Sequence, residues 1–269
     1  DHRDYDLLKS YGAATFDPED LPREYLVDPR LTMPDQMADG LPFGCTGYTG
    51  ADLCTDEDGV VYDAEDLYLN TPPLNRRDVG RGLRDSMKTL KKRGPRTKTG
   101  EFGPKRTNFF NIRSQGKILD WFDAMRVGLY IVRQERRSAS VGIPWFPEFN
   151  HPKDKGILPT NIIYDWDRAS AHNVKIDGWV YMNSQGRVIR SGEPFLRVKS
   201  WKGKDYGDNG WCYMSRASCN ALLAMYYTEA LTVSKIPDLG VQKIDMEAVE
   251  KIVSYILRLF EKFDKIWKD

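Results

Sequence analysis

Cysteine is scarce in this chain, with four among 269 residues, and histidine scarcer still, with three. So few cysteines exclude a disulfide framework and fit a reducing compartment, or at least a fold that does not depend on bridges. No apolar run approaches the ~18 residues that a membrane span requires. No signal peptide is visible, although a chain that begins at Asp1 leaves room for a leader already removed. A net charge of +1 gives the whole molecule nothing with which to steer toward nucleic acid or a membrane, and we expect neither as a partner. What is present suffices for a core: 41% of the residues are hydrophobic and 12% aromatic. The charge is unevenly spread, with 17 acidic and 4 basic side chains in residues 1–70 against 3 acidic and 12 basic in residues 76–106. Two surfaces of opposite sign that meet are the expected outcome. The alternative is a site for phosphates or an acidic partner on "KTLKKRGPRTKTGEFGPKR", which lacks the aromatic interleaving of a single-strand binder.

Residues 1–43 are rich in Pro and Asp and read as an extended arm with short strands, not helix. A short helix is expected after Cys45, and "TDEDGVVYDAED" reads as a turn leading into a strand or short helix. "NRRDVGRGLRDSMKTLKKRG" predicts a helix with Leu83, Met87 and Leu90 on one face and Gly94 ending it. "GKILDWFDAMRVGLYIV" predicts another, with Ile118, Trp121, Phe122 and Met125 aligned. From about residue 138 the apolar period changes to two, and "SASVGIPWF", "HNVKIDGWVYM", "GRVIRSGEPFLRVKSW" and "GWCYMS" read as strands. A helical half thus precedes a β half, which predicts an α+β protein of two lobes. Residues 241–269 carry an apolar stripe through Val249, Ile252, Ile256 and Phe260, the pattern of an amphipathic helix about 25 residues and ~37 Å long. It packs back on the domain, or it docks to a partner or to itself.

"PFGCTGYTG" sets Cys45 in a turn, where a structural thiol would ordinarily sit in an apolar run. A helix starting there would favour the thiolate, and Gly44 and Gly47 would let a substrate approach. Of the histidines, His2 is terminal and His151 lies in a polar loop. His172 shares parity with Val174 and Ile176, so it heads a half-buried strand and faces the apolar side. Alone, it reads as a core residue; an imidazole near Cys45 could take the thiol proton, but the pair by itself does not overturn the core reading. Residues 54–65 imitate a calcium loop through Asp56, Asp58, Gly59 and Glu65, but Cys54 is a poor oxygen-site residue, so a solvated acidic turn is expected. Cys212 and Cys219 lack a zinc-like partner pair and read as core thiols. No metal and no cofactor is expected.

Taken together, "DQMADGLPFGC", "AHNVKIDGW" and "KSWKGKDYGDNGW" resemble the motifs of papain-like cysteine peptidases, nearest in pattern to bacterial and phage-encoded members. His172 follows Cys45 by 127 residues and Ser200 by 155, close to the family's spacing of about 130–150. The resemblance covers roughly residues 17–216. It implies a two-lobe fold over 1–235, with an arm (1–35), a mainly helical lobe (36–135) and a mainly β, barrel-like lobe (136–235). The helix at 241–269 is an addition. It implies a peptidase in which Cys45 attacks, His172 carries the proton and Gln36 helps hold the oxyanion. Ser200 and Trp201 support the site, and Gly80 and Gly82 form the wall of the substrate cleft. Lys199 occupies the place of the family's Asn. An ammonium cannot accept from an imidazole N–H, so Lys199 must turn away, with a water, Asp177 or Asp205 in its stead, or the site is impaired. The alternative is an inactive papain-like scaffold within a larger assembly such as a virus particle. Its partners would be peptide or protein substrates, or an assembly partner reached through the C-terminal helix, in a soluble, intracellular or virion-associated protein.

Overall fold

A computed structural model describes residues 5–10, 17–27, 34–74, 80–114, 119–152, 156–182, 192–225 and 229–234. All lie within the compact unit Asp1–Lys235. The second unit, Ile236–Asp269, and with it the predicted C-terminal helix, lies outside the described residues. The elements, in chain order, begin with β1 (Tyr5–Asp6), α1 (Leu7–Ser10), β2 (Tyr25–Leu26), α2 (Cys45–Asp58), α3 (Ala64–Asn70) and α4 (Leu83–Arg93). They continue with β3 (Asn108–Asn111), α5 (Trp121–Ile131), β4 (Ala139–Trp145), β5 (Ser170–Met182), β6 (Glu193–Lys199), β7 (Trp211–Ser215), α6 (Arg216–Leu223) and β8 (Glu229–Ser234).

The strands form one sheet in the order β1-β3-β8-β4-β5-β6-β7, with β2 added to the far half of β5. All pairs are antiparallel except β1 with β3. Among the described strands no pairing joins β1 to β7, so they form an open sheet where a barrel-like lobe was expected. The division into a helical half and a β half is also incomplete: β1 and β3 come from the first half and α6 from the second. The arm is not free of helix, since Leu7–Ser10 forms one turn whose leucines are fully buried.

The alternation of β5 decides what lies on each face of the sheet. Val174 and Ile176 join Phe122 and Met125 of α5 and Leu222 of α6 in the main core. Asn173 and Lys175 face α2 instead, where Leu231 and Val233 of β8 also pack with Leu53, Met87 and Leu90. Helix α2 is an unusual core helix. It runs 14 residues, longer than the short helix expected, and stops at Gly59, whose φ of 70° is left-handed. It absorbs the start of the predicted acidic turn, which removes the calcium-loop geometry. A Cβ on Gly47 would lie 2.5 Å from the Ala64 carbonyl oxygen. Gly47 therefore serves the close packing of α2 on α3, not substrate access.

The buried acids of α2 account for the uneven charge. Arg106, fully buried, pairs with Glu57 at 3.1 Å and Asp58 at 2.6 Å, while Asp66 of α3 pairs with Arg93 and Arg96. The acidic and basic stretches meet, as the sequence implies.

Candidate functional site

Strand β6 pairs with β5 only from Lys175 onward, because the chain leaves the sheet after Lys199. The edge of β5 at His172 and Asn173 is thereby opened, and the N-terminus of α2 fills the opening. The Asn173 carbonyl accepts from Thr49 Oγ1 at 3.3 Å and from Trp201 Nε1 at 3.0 Å. The Asn173 N–H reaches the sulfur of Cys45, the first residue of α2. A polar sheet edge that would otherwise be buried unpaired is satisfied by the helix that carries the thiol.

Trp201 joins these parts. Its indole N–H lies 3.0 Å from Thr49 Oγ1 as well as from Asn173 O. Its ring stacks on Tyr48 with centroids 5.9 Å apart, and its carbonyl accepts the Gln36 N–H at 3.0 Å. It holds a φ of 60°, the left-handed region, which a tryptophan adopts only where its surroundings impose it. That turn aims the preceding carbonyl: Ser200 O lies 3.2 Å from His172 Nε2. A carbonyl only accepts, so Nε2 carries the proton and Nδ1 of the neutral ring keeps its lone pair.

Lys199 turns away from the histidine. Its ammonium is buried 2.9 Å from Asp52 Oδ2, on the face of α2 that also carries Cys45 and Thr49. Lys175 bridges Asp52 at 2.6 Å and Asp56 at 2.8 Å, and Ser138 donates to Asp56. Burial pushes the Lys175 ammonium down, but the two carboxylates outweigh it and hold the group charged. Burial likewise pushes Asp52 up, and the two lysines outweigh it, leaving its carboxyl below the ordinary range. Asp56, more weakly compensated, is raised by burial to about 6. Neither Asp177 nor Asp205 orients the histidine: Asp177 pairs with Arg197 at 2.7 Å, and Asp205 is exposed. The partner of the imidazole is a backbone carbonyl, a group that a residue-type pattern does not show.

Burial and the nearby Lys202 cation lower His172 to about 4, against the Ser200 hydrogen bond. The cation acting on the imidazole is thus Lys202, not Lys199. Lys202 sits with its ammonium 5.7 Å from the Trp145 ring, which in turn meets the His172 ring edge-on at 4.8 Å. Burial raises the Cys45 thiol, opposed by the Asn173 and Thr46 N–H groups aimed at the sulfur. Both shifts favour an uncharged thiol and imidazole at rest.

The Gln36 amide donates to Pro42 O at 3.0 Å, and its Oε1 is buried without a partner. Its loop is fixed to Trp201 from one side and runs into Cys45 on the other. Gly80 and Gly82 flank Arg81, whose carbonyl accepts from Thr46 Oγ1 at 3.2 Å. Their segment therefore borders the first turn of α2. Cys45 is a half-buried free thiol, and Cys54, Cys212 and Cys219 are buried free thiols. No group of three or more His, Cys, Asp or Glu among the described residues has the geometry to hold a metal. No helix among them is long and apolar enough to cross a membrane.

Solved structures share this architecture. Xylellain, a cysteine protease from Xylella fastidiosa, matches with a TM-score of 0.61 at 16% identity, over 88% of this chain and 93% of that one. The bromelain protease of Ananas comosus, solved with the E64 inhibitor, matches with a TM-score of 0.55 at 12% identity, over 80% of this chain and 99% of its own. Digestive procathepsin L 3 of Tenebrio molitor gives a TM-score of 0.55 at 11% identity, over 81% and 72%. No protein-family model and no curated protein matches the chain. The fold is that of papain-like cysteine proteases.

Proposed function

We propose that this papain-fold chain is a cysteine peptidase in which Cys45 is the nucleophile and His172 the general base. The observation that carries the reading is the junction of Cys45 with the His172–Asn173 edge, together with the Ser200 carbonyl that fixes the imidazole tautomer. With Nε2–H held by Ser200, Nδ1 takes the thiol proton as the sulfur attacks a peptide carbonyl. The C–S bond forms and the carbonyl oxygen becomes an oxyanion, received by the Cys45 N–H at the start of α2 and by Gln36 Nε2. The imidazolium then gives its proton to the amine as the C–N bond breaks. Water, deprotonated by the same imidazole, attacks the thioester and releases the acid and the thiol. Because the resting pair is uncharged, the proton moves with the attack and not before it. Gly80 and Gly82 form the wall along which the peptide lies, and Ser200 and Trp201 are positioning residues.

The reading of the chain as an inactive scaffold rests on the C-terminal helix, which lies outside the described residues, and on an ammonium at position 199 beside the imidazole. The ion pair of Lys199 with Asp52 argues against the second of these grounds. Cleavage of a mixed peptide library, followed by mass spectrometry, tests the proposal. Wild type should cut. Cys45→Ala and His172→Ala should each lose about 10³-fold or more in kcat/KM. Equal cleavage by wild type and Cys45→Ala, or none by any of the three, contradicts it.

A further inference from the structure

Helix α4 stops at Gly94, and residues 95–103 then form a largely exposed hairpin. Arg96 and Phe102 are antiparallel partners in it. The Gly103 N–H donates to Pro95 O at 2.8 Å, and the Thr97 N–H to Glu101 O at 2.8 Å. Near the tip, the Gly100 N–H donates to Thr97 O at 3.0 Å, and Arg96 Nε to Gly100 O at 3.1 Å. The base is fastened just beyond the C-terminal end of α2. There the Asp63 N–H donates to Arg96 O at 2.7 Å, and Gly103 lies so close to the Tyr62 ring that a Cβ would not fit. Bonds this dense make the hairpin a fixed platform. It stands at the opposite end of α2 from Cys45, about 20 Å away along a helix of 14 residues.

Phe102 on this platform is 58% exposed, and Val60 and Val61, which lead into Tyr62, are exposed as well. A lone exposed phenyl is ordinary on a protein surface; this one sits on a fixed platform among cations that are not balanced. The arginines here are engaged. Arg93 and Arg96 pair with Asp66 and stand 5.5 and 5.6 Å from the centre of the Phe102 ring, and Arg106 is buried on Glu57 and Asp58. The lysines are not. Lys92, Lys98 and Lys105 are exposed and form no ion pair among the described residues, and the Lys91 ammonium meets the Phe109 ring at 5.9 Å. Of the acids nearby, Asp63 accepts from the Glu65 and Asp66 N–H groups at the start of α3. The exposed Glu65 and Glu101 are too few to balance these lysines.

We propose that the 95–103 hairpin, with the end of α4, docks an acidic peptide segment of another protein. Its carboxylates meet Lys92, Lys98 and Lys105, and one of its apolar side chains lies against Phe102. The charge that is free decides the class of partner. Guanidinium forks suit phosphates, and those of Arg93, Arg96 and Arg106 are already held by carboxylates. Two of them also stand over the Phe102 ring, where a nucleobase would have to stack. The free cations are lysines, point charges on flexible stems that follow scattered carboxylates. A membrane fits no better: the tip, Lys98 to Gly100, is polar, and Phe102 sits behind it at the base, where it cannot insert. The site is remote from the thiol, so the proposal stands whether or not Cys45 cleaves.

The test uses full-length Cys45→Ala protein, so that no probe is cut, and a fluorescein-labelled peptide of Asp and Glu with one central Leu. Binding is read by anisotropy at low and at physiological salt. The peptide should bind, severalfold more weakly at the higher salt, and a version with Lys in place of its acids should not. Lys98→Glu/Lys105→Glu should weaken the acidic peptide about tenfold or more. Phe102→Ser should weaken it about fivefold and leave a probe with Gly in place of Leu unchanged. The three side chains are exposed, so both variants should keep the urea midpoint of the parent. Three results overturn the inference: no binding of the acidic peptide, binding that either variant leaves unmoved, or tighter binding of oligouridylate or of phosphatidylglycerol vesicles than of the peptide.

Discussion

Removing the Asp52 carboxylate should be among the most destabilising single changes at the site. Asp52 compensates two buried ammonium groups, Lys175 at 2.6 Å and Lys199 at 2.9 Å. In Asp52→Asn, Lys175 keeps Asp56 at 2.8 Å, but Lys199, only 1% exposed, faces a neutral amide. Leaving a buried charge uncompensated costs about 3–5 kcal/mol, which for a domain of this size lowers Tm by on the order of 10 °C. Lys199→Met behaves differently. It deletes a charge of similar volume, and Asp52 retains Lys175, so a loss of about 1–2 kcal/mol is expected. The double variant Asp52→Asn/Lys199→Met restores balance, with one lysine against one aspartate. It should recover about 2 kcal/mol relative to additivity. Urea denaturation at neutral pH measures all four proteins, with m-values checked for constancy. Additive losses in the double variant, or a cost below about 1 kcal/mol for Asp52→Asn, would refute the strut between α2 and the Ser200 turn. The same reasoning applies to Lys199→Asn. Restoring the papain-like residue removes an ion pair at the site, so this variant should lose stability and gain no activity.

Three further outcomes follow from the site. Trp201→Phe keeps the stack on Tyr48 but loses the indole N–H to Thr49 and Asn173. It should cost about 1–2 kcal/mol in urea denaturation and lower kcat more than it raises KM, while an unchanged kcat would speak against the hub. For His172, a folded pKa of about 4 lies below the unfolded value near 6.5, so between them the unfolded chain binds more protons. Stability from this group is complete above pH 6.5 and is lost as pH falls toward 4. His172→Gln should therefore gain on wild type by about 3 kcal/mol from pH 7 to pH 4, and parallel stability curves would contradict the burial of the ring. Burial depresses His172 most and the Lys202 cation adds to it, so Lys202→Met should move the acid limb of kcat/KM upward; a limb that stays in place rules out a contribution from Lys202.

Cys45, His172 and the Ser200–Trp201 turn were legible in the sequence because each sits in a local pattern: a thiol in a glycine turn, a strand parity, an aromatic turn motif. The long strands β4 to β7 and helices α4 and α5 announced themselves by period. What the residues hide is long-range pairing. Lys199 is intelligible only with Asp52, which lies on another element, and the one local hint was an acid on the same helical face as Cys45 and Thr49. The orienting group of His172 is a main-chain oxygen and has no residue signature. β3 and β8 pair with each other across a long stretch of chain, and neither carries turn signals that would mark it as a strand on its own.

The central claim is that His172 activates the Cys45 sulfur. Exposure alone would favour labelling of Cys45, since the other three thiols are buried, so the decisive quantity is a rate and its dependence on the imidazole. We would measure inactivation by an epoxysuccinyl peptide at pH 6, locating the adduct by mass spectrometry, for wild type and His172→Ala. The account predicts a single adduct on Cys45 and a rate at least about 100-fold slower without the imidazole. Equal rates in the two proteins would contradict it.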